Sequence, residues 1–136
     1  MEIRVDKKII EIKGRKFTIN KFDPFFGSYM AFKVLNLGSN NDTSQVGILS
    51  TFNNLMGNNL EEFEKIQKKV LSYCTESLPV GEVPLVNSEG NIAVIGLTAP
   101  MAMNLFIQTI MFSISDFFEE GAIQMDLPVE EEAPQN

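Results

Sequence analysis

The sequence predicts an α+β fold, mainly α-helical: an N-terminal β-hairpin, then four helices, with a short second hairpin before the last. Three observations carry this. Ile9, Ile10, Ile12, Phe17 and Ile19 alternate with charged residues around Lys13-Gly14-Arg15, the pattern of a half-buried strand pair. Beyond Asp23-Pro24 the apolar residues recur at helical spacing. Between residues 75 and 96 that period disappears, and Pro79, Gly81, Pro84 and Asn87-Ser88-Glu89-Gly90-Asn91 punctuate the chain. With 136 residues the chain is expected to form one globular domain over 1–118, with a hairpin at 9–21 and a helical body at 22–118. Residues 119–136, rich in Glu and with Pro128 and Pro134, offer little to bury and are expected to be a disordered acidic tail.

The hairpin turns at Gly14, which accepts the positive φ of a tight turn, and places Phe17 and Ile19 on one face with Lys16 and Thr18 on the other. Asp23 caps helix 1, and Pro24 fits its first position. That helix runs to Leu37, before Gly38, and is apolar on most sides (Phe25, Phe26, Tyr29, Met30, Phe32, Val34, Leu35), which predicts a central position. Gly27 and Ala31 narrow one flank. Asp42 or Thr43 caps helix 2, which is expected to bury Ile48, Leu49, Phe52, Leu55 and Met56 and to stop at Gly57-Asn58-Asn59.

Asn59 and Glu62 have capping-box spacing. Helix 3 is predicted from Leu60 to Cys74, with Leu60, Phe63, Ile66, Val70, Leu71 and Cys74 as its buried stripe. Glu61–Lys65 and Glu64–Lys68 support the opposite side. Val83, Leu85 and Val86 are candidates to pair with Ile92, Val94 and Ile95 as the second hairpin; a flap is the alternative. Thr98 caps helix 4, with Pro100 in its first turn, and the helix runs to Phe118. Met103, Phe106, Ile107, Ile110, Ile114, Phe117 and Phe118 form its broad core face. Between two polar strips lies a second apolar line, Met101, Leu105 and Phe112. Either the 75–96 segment or a central placement covers it, or it is a seam for a partner helix or for a second copy.

The chain has no histidine and one cysteine, Cys74. Ser-His-Asp and Cys-His nucleophile systems and the usual His/Cys zinc sites are therefore excluded, and an internal disulfide is impossible. On the apolar stripe Cys74 reads as a core residue. No phosphate-binding loop, dinucleotide fingerprint, EF-hand or nucleophile-elbow motif occurs. A non-enzymatic binding protein is expected, with no catalytic residue, no metal site and no cofactor. Net charge is −7, divided as +3 through Lys69, the last cation, and −10 beyond it. The cations Arg4, Lys7, Lys8, Lys13, Arg15, Lys16 and Lys21 are spread along the strands, a poor phosphate-neutralising stripe, so nucleic acid is not expected as a partner. Residues 92–118 are apolar enough to suggest a membrane span. Asn104, Gln108 and Asp116 inside, and no flanking Lys or Arg, favour a buried helix and no membrane partner.

Lys16-Phe17-Thr18-Ile19-Asn20-Lys21-Phe22, followed by Gly27, Ala31, Lys33 and Leu35, resembles the opening of tail assembly chaperones from long-tailed bacteriophages. The later order also fits: amphipathic helices, a Pro-containing loop after a Cys-ended helix, and an apolar helix closing on Asp116-Phe117-Phe118. The likeness spans residues 9 to 118 in pattern. It implies a small helical protein of the infected host's cytoplasm that coats the tape measure protein, keeps it soluble, helps recruit tail tube protein and is absent from the mature virion. Docking is then expected on Met101, Leu105 and Phe112, with Phe25 and Tyr29 as further candidates and homo-oligomerisation as an option. Replacing Leu105 and Phe112 with Asp is expected to spare the fold. A structural virion component (tail completion or connector protein) is the competing assignment, and a nucleic-acid-binding regulator using the basic hairpin is a third.

Overall fold

The computed structural model describes residues 6–37 and 45–119, with side chains described through Val34, at 48, 50 and from 52 to 115. The chain is α+β, with helices outweighing strands: β1 (Lys7–Ile12), β2 (Arg15–Asn20), α1 (Pro24–Leu37), α2 (Gln45–Asn58), α3 (Leu60–Leu71), β3 (Cys74–Leu78), β4 (Gly81–Pro84) and α4 (Ala99–Glu119). The expected stop at Gly38 and cap at Asp42 or Thr43 lie outside the described residues, as does the expected 119–136 tail except Glu119, which instead ends α4.

β1 and β2 form the expected hairpin. Lys13 (φ 51°) and Gly14 (φ 79°) both occupy the left-handed region, the geometry whose twist matches two antiparallel strands. The register runs from Lys7 opposite Asn20 to Ile12 opposite Arg15. Phe17 and Ile19 are fully buried, while Lys16 is exposed and Thr18 half-buried, as alternation requires.

The second strand pair differs from expectation. β3 lies along β2, with Phe17 opposite Glu76 and Ile19 opposite Cys74, and β4 pairs with β3 through the turn at Pro79-Val80. One antiparallel sheet results, in the order β1-β2-β3-β4. Of the expected pairing between 83–86 and 92–95 only the Val86–Ile92 bridge exists. Cys74 therefore opens a strand instead of ending α3. Asn87 folds the intervening turn on itself, its Oδ1 accepting from the backbone N–H of Glu89 (2.9 Å) and Asn91 (3.0 Å).

Helices cover one face of the sheet. α4 lies at the centre, packed on β2 and on α1, α2 and α3. Leu105, Phe106, Ile107, Ile110 and Ile114 are all buried, as expected of a helix that is apolar nearly all round. Phe52, Phe63 and Phe106 join α2, α3 and α4, with ring centroids 5.3 Å apart for Phe52–Phe106 and 5.8 Å for Phe63–Phe106. The buried polar groups of α4 are satisfied internally: Thr109 Oγ1 donates to the Leu105 carbonyl (2.6 Å), and Ser113 Oγ accepts from the Phe22 N–H (3.1 Å). Three further expectations need correction. Leu60 is 54% exposed because it occupies the first position of α3, before the stripe turns inward. Met56 stands 36% exposed at the end of α2. α1 is not buried all round: Met30, Ala31 and Val34 face the core, and its opposite side faces water.

Arg15 ties these layers together. Its Nε and Nη2 grip both carboxylate oxygens of Glu76 at 2.8 Å, while Nη1 reaches the Gly96 carbonyl and Nη2 the Ile95 carbonyl, each at 2.8 Å. The remaining Nη1 hydrogen points at Met101 Sδ, 3.8 Å away, so all five guanidinium donors have partners. Glu76 is buried (3% exposed), a position tolerable for a carboxylate only when paired. Gly96 (φ 78°) leaves the room required: a Cβ there would sit 3.3 Å from Arg15 Nη1.

The guanidinium bond holds the Glu76 carboxyl below the usual glutamate range, against the opposing effect of burial. A folded-state pKa below the unfolded one adds stability above the ordinary glutamate pKa and loses it as pH falls toward the depressed value. Urea midpoints of the native chain and Glu76→Gln are thus expected to differ most near neutral pH. The gap should narrow as pH drops below about 4.5, the ordinary glutamate value. A constant gap from pH 7 to pH 3 contradicts this assignment.

Candidate partner-binding surface

Asp23 begins α1 as expected. Its Oδ1 accepts from the N–H groups of Phe25 and Phe26, both at 2.9 Å, and Oδ2 accepts from the Tyr73 hydroxyl at 2.8 Å. Those bonds, led by the Phe26 N–H, lower the Asp23 pKa; burial and the Asp23 bond raise that of Tyr73. Phe26 turns inward and stacks on Tyr73, centroids 5.9 Å apart, beside the edge-on ring of Phe22. Gly27 and Ala31 are both buried, confirming the narrow inner flank. The start of α1 is thereby fixed on both its cap and its inner face.

What remains outside is aromatic. Phe25 is 88% exposed, Tyr29 46% and Phe32 52%. Spacings of four and three residues put them on one stripe along two turns, about 10 Å of helix. One margin of the stripe is charged. Glu62, at the start of α3, accepts from the Tyr29 hydroxyl (3.1 Å) and pairs with Lys33. That contact raises the Lys33 pKa and lowers that of Glu62. Glu62 is thus spent on α1 and does not close a capping box, although its N–H does donate to Asn59 Oδ1 (3.0 Å). The surface offers a firm helix, a row of rings with low rotamer cost and a polar rim, the usual make-up of a protein-docking patch.

The expected seam on α4 is not there. Met101 (7% exposed) and Leu105 (0%) are sealed in the monomer, Met101 beneath Arg15 and Leu105 within the core. Phe112 is half-buried against the core, with Lys21 Nζ 4.9 Å from its ring centroid. The physical reason is the sheet: β2 packs on α4, and Arg15 draws residues 95–96 over its first turn. Of the five expected docking residues, Phe25 and Tyr29 stand on the exposed side of α1, and Phe32 joins them. Phe32 went unread as a docking residue because a helix apolar on most sides suggested burial. The i, i+4, i+7 spacing of Phe25, Tyr29 and Phe32 was the available signal.

Other chemistry is sparse among the described residues. They hold no group of three or more His, Cys, Asp or Glu placed to share a metal ion, and no helix long and apolar enough to cross a membrane. Burial pushes the Cys74 thiol up to about 11, and its Sγ lies 3.2 Å from Thr109 Oγ1, so it packs as a thiol, not as a nucleophile. Searches of family models, curated proteins and solved structures found no match to the chain.

Burial dictates opposite outcomes for the two helices. Leu105→Ala is expected to cost about 2–5 kcal/mol, the range for emptying a packed leucine site. Phe25→Ser should stay within about 0.5 kcal/mol of the native chain. Denaturant melts read both, and equal costs contradict the assignment of inside and outside.

Proposed function

We propose that this chain is a non-enzymatic tail assembly chaperone of a long-tailed bacteriophage, docking the tape measure protein on the outer face of α1. The reading draws on the sequence resemblance over residues 9–118. The single structural observation behind it is the exposed Phe25-Tyr29-Phe32 stripe on a helix whose cap and inner face are fixed. A tape measure chain is a long helix with apolar seams that water penalises until tube subunits enclose it. A two-turn aromatic row laid against such a seam removes apolar area from water on both partners, at roughly 25 cal/mol per Å².

The size of the stripe fits reversible cover. Each aromatic side chain contributes roughly 1.5–3 kcal/mol when fully buried. Association costs at least roughly 4 kcal/mol in lost freedom, so one stripe binds modestly and incoming tube protein can displace it. The acidic balance of the chain, −7 overall, keeps a protein that presents three exposed rings dispersed. In this reading the protein works in the host cytoplasm, recruits tube protein to the coated client and leaves before the virion is complete.

The test is co-expression with the tape measure protein of the same genome. The native chain should keep the client in the soluble fraction and co-elute with it. Phe25→Asp with Phe32→Asp should leave circular dichroism unchanged and send the client to the pellet. A client that stays soluble with the double variant overturns the docking assignment. Mass spectrometry of purified particles separates this function from that of a structural virion component: a chaperone is missing from them, a connector is present.

A further inference from the structure

The two edges of the sheet are built differently. β4 spans four residues and carries Pro84. The Leu85 N–H donates to the Cys74 carbonyl at 3.0 Å, so by alternation the backbone of Pro84 faces the free side, where it has no N–H to offer. That edge is blunted. β1 has six residues with no proline or bulge, and among the described residues it pairs only with β2. The Lys21 N–H donates to the Asp6 carbonyl (3.0 Å), which fixes the phase of the ladder: Lys8, Ile10 and Ile12 bond to β2, and Lys7, Ile9 and Glu11 point their N–H and C=O groups outward. Ile9, at the centre of that outward set, is 68% exposed.

We propose that β1 pairs antiparallel with β1 of a second copy, joining two four-stranded sheets into one across a two-fold axis at Ile9. Symmetry and charge select this register. A two-fold perpendicular to the sheet keeps the helices of both copies on one face, so each residue must pair with one of the same face. Pairing Ile9 with Ile9 places Lys7 opposite Glu11 twice, on the solvent face, with each outward pair exchanging two backbone hydrogen bonds. Shifting the register two residues one way sets Lys8 against Lys8; shifting it the other way sets Ile9 against Glu11 and loses both charge pairs. An edge lysine ordinarily repels an incoming strand. Here Lys7 meets a carboxylate in the favoured register alone, so the same residue that guards the edge against other partners admits this one. In the monomer Lys7 lies opposite Asn20, and its charge helps to lower the Glu82 pKa, after the hydrogen bonds from Ser77 and Thr75.

Sedimentation of the full chain tests the pairing, with circular dichroism to check each fold. The native chain should sediment at twice its 15.2 kDa mass at micromolar concentration. Lys7→Glu sets like charges opposite each other at both ends and should weaken the dimer about tenfold or more, equivalent to at least about 1.4 kcal/mol. Lys7→Glu with Glu11→Lys restores both pairs in reversed sense and should restore the dimer. Phe25→Ser should leave it intact, which separates this interface from the client surface on α1. A monomeric native chain, a dimer indifferent to Lys7→Glu, a charge-swapped chain that stays monomeric, or a dimer lost with Phe25→Ser each overturns the proposal.

Discussion

The structure depends on one half-buried ion pair whose members lie on neighbouring strands but come from distant parts of the sequence. Arg15 follows the first turn, Glu76 sits on the neighbouring strand in space but sixty-one residues later in sequence, and the carbonyls of Ile95 and Gly96 complete the site. A buried carboxylate gains little net stability from its partner, because its own loss of water offsets much of the attraction. What the pair supplies is uniqueness. A guanidinium with five committed donors permits one register of β3 on β2 and one path for the chain entering α4.

That constraint decides which apolar surface is hidden. Seen in isolation, α4 has more apolar surface than one packing interface requires, and Met101 and Leu105 are the excess. The clamp at residues 95–96 closes over the first turn, and β2 with three helices takes the rest. With α4 saturated, α1 is left as an outer helix, anchored through Met30, Ala31, Val34 and the Phe22–Phe26–Tyr73 rings, and its far side has nothing to pack on among the described residues. Exposure of Phe25 and burial of Leu105 follow from the same packing.

Much of this was legible in the residues. Lys13-Gly14 flanked by alternating apolar residues specifies its hairpin locally, and Asp23-Pro24, Asn59 and Thr98 announce helix starts through bonds made within three residues. β3 was not legible, for two reasons. Cys74 continues the apolar stripe of α3, so the helical period runs past the true end at Leu71. The strand itself then places Glu76 on its buried side, where alternation expects an apolar residue, and only the distant Arg15 makes that choice stable. The docking candidates divided on the same ground. A helix wheel separates faces but cannot say which face a strand distant in sequence will claim, so Met101 and Leu105 were indistinguishable from Phe25 and Tyr29.

The two exposed features also bear on each other through affinity. In the proposed role, a stripe of three rings, set against the freedom lost on association, would leave each copy weakly held on its client. Pairing through β1 would join two α1 stripes in one assembly, and the second contact would then form at the local concentration set by the first. In that role tight cover of a long helical client and easy removal by tube protein would be compatible: each stripe would let go readily alone, while the pair would hold as long as both seats were free. A single large apolar groove gives no such release, because its whole area must be uncovered in one step.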